Sequence, residues 1–462
     1  MKGLAWLAAA ALLGCTAALK RPSSALTAVN APTKGGAVVE ARPSIAWAIG
    51  HNWLYFLSLG LCIPVLPRVI ASVVNEDGSA VVSALSSRVG GDVEGVDKIL
   101  TFLCVGALGC VSDRVGRKPL IALSSLGYAA TIGLQMSCSR RTGVARLFLA
   151  DGIDGMTSCM SAICGAYVAD AMSGKTTAEQ AVAVGTLQGL SAGGAFIVGF
   201  PLSAMLSTRG RYRRPMALAL CLQLVNCLLA LFLTPESLRP HERRQKLNFK
   251  EANPVSALAR LFKNGGPLLR GAAFAYAFVW LGNLALNTTF VNYVNFKFGW
   301  GPQQAGPLLV VVGLMLAIIP RLLVPRTGTD AAIKYGALVF AASFVALGKA
   351  ATGPQFVAAI VGCGVGCVAL PALVSLVASQ AAATERGAVL GGLQTLQELC
   401  AAAAYPIYGR VFANAIDPAR RGNSLLASPA APFYLAATFL FSGCVAASLT
   451  LRASTQVEGD GR

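Results

Sequence analysis

The stretch "GCVSDRVGRKPL" (residues 109–120) sets four charged side chains, Asp113, Arg114, Arg117 and Lys118, between two apolar runs. "ILTFLCVGAL" (99–108) precedes it and "LIALSSLGYAA" (120–130) follows. Composition says what such runs are. The chain of 462 residues is 55% hydrophobic and only 13% charged, where a soluble protein of this length carries about 25% charge. Its mean hydropathy is +0.62. The apolar residues recur in uncharged runs of about 20, the length a helix needs to cross a ~30 Å hydrocarbon core. Backbone groups find no water there, so only helices or a closed barrel can span. The runs are rich in Ala, Leu and Gly and lack the alternation of barrel strands. They read as helices of an all-α polytopic membrane protein.

Working outward, apolar runs fall near 44–70, 97–112, 119–137, 144–169, 180–206, 215–233, 268–294, 304–324, 331–350, 354–379, 387–412 and 431–451. That makes twelve expected transmembrane helices. The longest polar interruption, "PESLRPHERRQKLNFKEANPVSALARLFKNGG" (235–266), follows the sixth and is strongly basic. The expected division is therefore a targeting segment and polar tail (1–43), a six-helix half (44–234), a basic linker (235–266), a second six-helix half (267–451) and a polar tail (452–462). Parallel six-span halves around a midplane site are a recurring transporter architecture. Orientation follows Lys and Arg in short loops. One face holds the 109–118 turn, the linker, Arg326, Lys334 and Arg386; the other holds Arg140, Arg141, Arg209, Arg211, Arg213, Arg214, Arg420 and Arg421. The first face reads as cytosolic, or stromal in an organelle, by a small margin. The excess of Lys and Arg (38 against 20 acids) lies in loops beside spans, where contact with anionic lipid accounts for it and nucleic acid is not needed.

The amino end, "MKGLAWLAAAALLGCTAALKRPSS", has Lys2, an apolar stretch and then a basic, Ser-rich tract. That is the layout of a signal peptide. The tract to Ile45 contains one acid, Glu40, the bias of an organellar transit peptide. A plain signal, a thirteenth hydrophobic segment and routing to a plastid envelope all stay open, as do endomembrane and plasma membrane. The thirteen cysteines lie mostly inside apolar runs, and His51 and His241 are far apart. No metal site, disulfide framework or cofactor is expected. The glycine run "GCGVGC" (362–367) follows no strand signal and reads as close helix packing.

Read as Gly109-x-x-x-Asp113-Arg114-x-Gly116-Arg117-Lys118, the opening turn resembles the signature loop of the major facilitator superfamily, with every charged and glycine position present between spans two and three. Gly116 suits a tight turn. The cations can latch an acid on another helix, and Asp170, ending "GAYVAD" on the same face, is the expected partner. Closer resemblance is to tetracycline/proton antiporters and the hippocampus-abundant-transcript group. It is carried by "LGLCIPVLP" (59–67), "GAYVAD" (165–170), "TPESL" (234–238), "LPALVSLVASQ" (370–380) with "ERG" (385–387), and the apolar end of "SPAAPFYLAATFL" (428–440). The resemblance implies twelve helices, alternating access and transport of a small organic solute, often against protons. Three departures bear on the coupling. The family's span-one acid falls on Tyr55, its span-four basic residue falls on Phe148, and its Gly-Pro in span five appears as Gly199-Phe200-Pro201.

Ionisable groups inside spans are costly and face a cavity or a partner. Asp151 and Asp154 are three apart and share a helical face, suiting proton exchange. Glu398 sits deep in span eleven, with Gln394 one turn earlier. Asn283 and Asn287 are i, i+4 and can bond a polar ligand. His51, one turn before Tyr55, can take the place of the missing acid. Each has a structural alternative: Asp151 paired with Arg146 near the surface, the asparagines bonding helix to helix, His51 at the interface. The expected function is transport by a monomer in the bilayer, with a small-molecule substrate and protons as partners. A non-transporting receptor or scaffold on the same fold is the alternative. An enzyme is not expected, because no cluster of nucleophile, base or metal ligands occurs.

Overall fold

The computed structural model describes residues 43–139, 143–173, 189–239, 253–263, 266–380, 386–418 and 428–460, with isolated positions at 175, 179, 183, 186–187 and 243. The expected signal peptide and tail up to residue 42, Arg140, Arg141, Arg420 and Arg421 lie outside the described residues, as does most of the basic stretch 240–252.

All regular elements among the described residues are helical. In the first half they are α1 (Ile45–Cys62), α2 (Leu66–Val74), α3 (Ala84–Val115), α4 (Lys118–Ser137), α5 (Ala145–Thr157), α6 (Met160–Ala171), α7 (Gly194–Leu206) and α8 (Arg213–Leu228). A π-turn at Gly189–Gly193 leads into α7 and another at Leu229–Leu233 extends α8. After the linker come α9 (Pro254–Phe262), α10 (Pro267–Phe298), α11 (Pro302–Thr327), α12 (Thr329–Lys349), α13 (Gly353–Gly366), α14 (Ala369–Ser379), α15 (Arg386–Ile416) and α16 (Ala431–Asp460). Among the described residues, ten helical segments are both long and apolar enough to cross a membrane. Pro302–Thr327 (26 residues) and Arg386–Ile416 (31 residues) are long enough but are not among those ten. The fold is the all-α membrane class expected, and the count of twelve depends on these two.

Four boundaries differ from expectation. The second span starts at Ala84, not 97, because Ser83 and Ser86 cap it reciprocally at 3.1 and 2.8 Å. Its first turns carry Arg88, Asp92 and Glu94, charges that hide a span from any reading of apolar runs. The first span breaks between Cys62 and Leu66, where Pro64 and Pro67 remove backbone donors. Span ten breaks likewise between Gly366 and Ala369, and the last helix runs on to Asp460 rather than ending in a polar tail.

Buried apolar side chains gather into two main cores, one drawn from Ala48 to Ala230 and one from Leu261 to Ala447 with Val82. The cores meet where α3 lies along α15 and α7 along α11. Small residues make these crossings close. A Cβ built on Gly91 would stand 2.6 Å from the Tyr405 carbonyl oxygen, and one on Gly409 3.0 Å from the Gly91 Cα. Similarly, a Cβ built on Gly306 would stand 3.2 Å from the Phe200 carbonyl oxygen, and Gln303 Nε2 donates to the Ala204 carbonyl at 3.3 Å. These contacts all lie toward the helix ends away from the 113–118 turn. The linker helix α9 packs on the other end of α15, with Leu261 fully buried.

Candidate functional site

Two polar assemblies stand out, one at the charged turn and one between the halves. At the turn, Gly116 has φ +107°, the left-handed region that suits glycine. A Cβ there would collide with the Glu236 carboxylate. Glu236 caps the start of α4: it accepts the Arg117 backbone N–H at 2.8 Å and the Lys118 N–H at 3.2 Å. The Arg117 side chain is buried and donates to Asp170 Oδ2 (2.9 Å), Asp113 Oδ1 (2.6 Å) and Ser112 Oγ (2.5 Å). Ser237 Oγ donates to the same Asp170 oxygen at 2.9 Å. Burial opposes the Arg117 charge, but the Asp170 and Asp113 carboxylates outweigh it and hold its proton above the usual arginine range. Arg114 is exposed, and Gly109 lies inside α3 with open space where a Cβ would be. Arg117 thus ties α3 and α6 through its guanidinium and the chain after α8 through its backbone N–H.

The second assembly is built on α3. Asp97 is buried, and Lys98 Nζ lies 2.5 Å from its Oδ2. Thr101 Oγ1 adds a longer contact of 3.4 Å to Oδ1. Gly155 of α5 leaves no room for a Cβ against the Asp97 backbone carbonyl, so α5 crosses α3 closely and the α5 acids lie alongside. Lys98 interacts electrostatically with Asp97, Glu94 and, from the opposite half, Glu398 and Tyr405. Asp151 and Asp154 both feel Glu94, Asp97 and Lys98. Asp151 is buried and accepts from Gln135 Nε2 at 2.8 Å, whereas Arg146 turns to Ser137 instead. Asp154 Oδ1 is buried with no donor among the described residues. Tyr55 joins this group, interacting with Asp154, Lys98 and Asp97. Five carboxyl groups, on α3, α5 and α15, therefore lie in the field of one ammonium, which is paired directly with Asp97.

The remaining candidates lie elsewhere. His51 is buried between α1 and the end of α8, with Nδ1 2.7 Å from Asn226 Oδ1 and Nε2 2.7 Å from Thr234 Oγ1. Both nitrogens are used in joining helices. Asn283 is half-buried and Asn287 exposed on α10, and Gln394 is half-buried on α15. Its neighbour Gln397 donates to the Tyr276 hydroxyl on α10. Nearer the far ends of α3 and α15, Arg410 Nη2 stands 2.8 Å from Asp92 Oδ1, an ion pair outside hydrogen-bond angles. Among the described residues no group of three or more His, Cys, Asp or Glu side chains is set to hold a metal ion.

The model of the family described as "Major Facilitator Superfamily" matches residues 52–405. The chain belongs to the Major Facilitator Superfamily. Among curated relatives it is similar to the class C tetracycline resistance protein of Escherichia coli, 26% identical over 76% of this chain and 85% of that one. It is also similar to hippocampus abundant transcript-like protein 1 of Bos taurus, 23% identical over 80% of this chain and 72% of that one. Among solved structures, the human organic anion transporter MFSD10 (TETRAN) superposes with a TM-score of 0.64 at 21% identity, covering 87% of this chain and 98% of that one. As a facilitator, the protein is an integral, multi-pass membrane protein that transports a solute across the bilayer.

Four residues of these assemblies escape reading from the facilitator's sequence. Glu236 stands in plain view within "TPESL", and its pairing with Arg117 spans 119 positions. Glu94, Asp97 and Lys98 fall outside or at the margin of the apolar run of span two. A signal for them existed: Glu94, Asp97 and Lys98 recur at helical spacing, and Glu94 is i, i+4 with Lys98.

Proposed function

We propose that this facilitator moves a small organic solute by alternating access between its two six-helix halves, and that protons are exchanged for it at the inter-half charge cluster. The observation that carries the reading is the Lys98–Asp97 ion pair on α3, with Glu94, Asp151, Asp154 and Glu398 in the field of the same ammonium. Like charges so near one another cannot all be ionised cheaply, so the group gains and loses protons as its surroundings change. Halves that separate and rejoin change those surroundings, because Glu398 belongs to one half and the other four acids to the other. The Asp151–Asp154 pair and Glu398 are the groups we assign to this exchange, and the Arg117–Asp113–Asp170 knot is the latch that biases one arrangement. The closed seam of α3 with α15 at Gly91 and Gly409 supports a state shut on the face away from that latch. A scaffold role gives no use for buried carboxyls, whose retention costs free energy.

The test is solute-dependent proton movement in vesicles containing the purified protein and an internal pH-sensitive dye. Addition of a transported solute should shift the internal pH, and collapsing the gradient should abolish accumulation. Accumulation indifferent to the gradient would remove the proton part of the reading. Tetracycline, suggested by the class C relative's name, is a sensible first solute.

A further inference from the structure

The charge cluster between the halves is unequal in exposure as well as in charge. Asp97 keeps 5% of its side-chain surface accessible and Lys98 keeps 25%. The carboxylate is short and held on α3, with Thr101 Oγ1 3.4 Å from its Oδ1. The ammonium hangs on a flexible four-carbon stem and carries three donors. Beside them, Asp154 Oδ1 is buried with no donor among the described residues. A buried acceptor left unpaired costs free energy, and a ligand bringing donors removes that cost. The cluster therefore consists of buried acceptors, one of them unsupplied, and a single cation on a flexible stem. Tyr55 and Tyr405 flank the same charges, and aromatic rings attract cations.

We propose that the transported solute carries a positive charge and that Lys98 is its tethered stand-in, holding the seat between Asp97 and Glu398 until a cationic group of the solute displaces it. This rests on the transport reading above and adds the class of solute. An anion entering the cluster would meet one ammonium and five carboxyl groups. A bare metal ion is a poor fit, since no described group of side chains converges to ligate one. An organic ammonium, donors on one side and an apolar body against the tyrosines, matches what lines the site.

The experiment uses the full chain, purified, with 2-phenylethylammonium and p-aminohippurate as cationic and anionic probes. Thermal melting reads binding, and vesicle uptake reads transport. The 2-phenylethylammonium ion should raise the melting temperature and p-aminohippurate should not. Lys98→Met removes the internal competitor, so it should bind 2-phenylethylammonium about tenfold more tightly, the competent fraction no longer being taxed. Wild-type protein alone decides the sign of the charge should that variant fold poorly. Preference for p-aminohippurate, with its binding lost in Lys98→Met, would overturn the proposal while leaving transport intact. Failure of both probes to shift either protein overturns it as well, because the variant leaves the seat vacant. Binding of the cation without uptake keeps the charge assignment and removes the transport reading.

Discussion

Glu236 occupies the space a side chain at position 116 would need, and its carboxylate caps the two backbone amides that follow, at 2.8 and 3.2 Å. The most recognisable glycine of the turn is thus answered by an acid from the far side of the sixth span. Glu236→Gln keeps the size but removes the capping charge and leaves one acceptor oxygen for the two amides. Charge-assisted bonds of this kind contribute roughly 1.5–3 kcal/mol each. We expect a lower melting temperature and slower transport at equal insertion. Unchanged values for both would show that the cap is idle.

Asp113→Asn should leave the protein inserted but slow its transport, because Asp113 holds Arg117 at 2.6 Å. Arg117 retains Asp170 at 2.9 Å, so the turn is weakened rather than dismantled. Asp170→Asn in addition should be worse than either change alone. Initial rates in vesicles, normalised to reconstituted protein, make the measurement; undiminished rates in Asp113→Asn would rule out the latch.

Asp154→Asn and Glu398→Gln remove titration while keeping size and hydrogen-bonding capacity. At least one of them should abolish gradient-driven accumulation yet leave exchange of solute down its own gradient measurable. Should both variants concentrate solute as the wild type does, coupling runs through Asp151 or Glu94 or is absent.

Gly91→Val places two methyl groups where the Tyr405 carbonyl oxygen already stands 2.6 Å from a Cβ. Overpacking of this kind costs about 1–3 kcal/mol, and here the strain falls on one arrangement of the halves. The variant should fold but hold the seam of α3 and α15 open. Cysteine labelling at positions introduced beside Gly409 would then become fast, and steady transport would fall well below the wild type. Slow labelling and normal transport would contradict the seam.

His51→Ala should act on stability rather than coupling. It removes the ring from Asn226 Oδ1 and Thr234 Oγ1, each 2.7 Å away; Thr234 keeps its bond to the Leu229 carbonyl, so the Asn226 oxygen is left stranded at a cost of about 1–3 kcal/mol. Melting should fall markedly while transport per folded molecule keeps its dependence on the pH gradient. A normal melt with lost coupling would instead make His51 the replacement for the missing span-one acid.

What the sequence disclosed and what it withheld follow from the range of the physics involved. Apolar runs and the 109–118 turn are local, so the helical class and the turn's composition could be read directly. Arg117 with Asp170 joins positions that share a face, and a chain direction argument suffices to suggest it. Span two was harder: the capping pair Ser83 and Ser86 is a weak local signal, and Asp92, Glu94 and Lys98 argue against a span until their partners on α5 and α15 are known. His51 is the converse case. Its position in the sequence suggested chemistry, and only the packing of α1 on α8 brings Asn226 and Thr234 to its two nitrogens.

Helix α3 is unbroken over 32 residues. It carries the Gly91 crossing near one end, Asp97 and Lys98 further along, and Asp113 at the other. It is consequently a lever with unequal arms. About the crossing as pivot, Asp97 lies about 9 Å away and Asp113 about 33 Å away at 1.5 Å per residue. A tilt of about ten degrees moves the first by roughly 1.6 Å and the second by roughly 6 Å on those arms. The short arm's travel is of the size that makes or breaks the Lys98 contact, while the long arm's travel is enough to carry Asp113, and the Arg117 that follows it, clear of Asp170 on α6. Displacing one ammonium in the middle of the membrane is thereby geared, through a single rigid rod, to unfastening the turn at its surface.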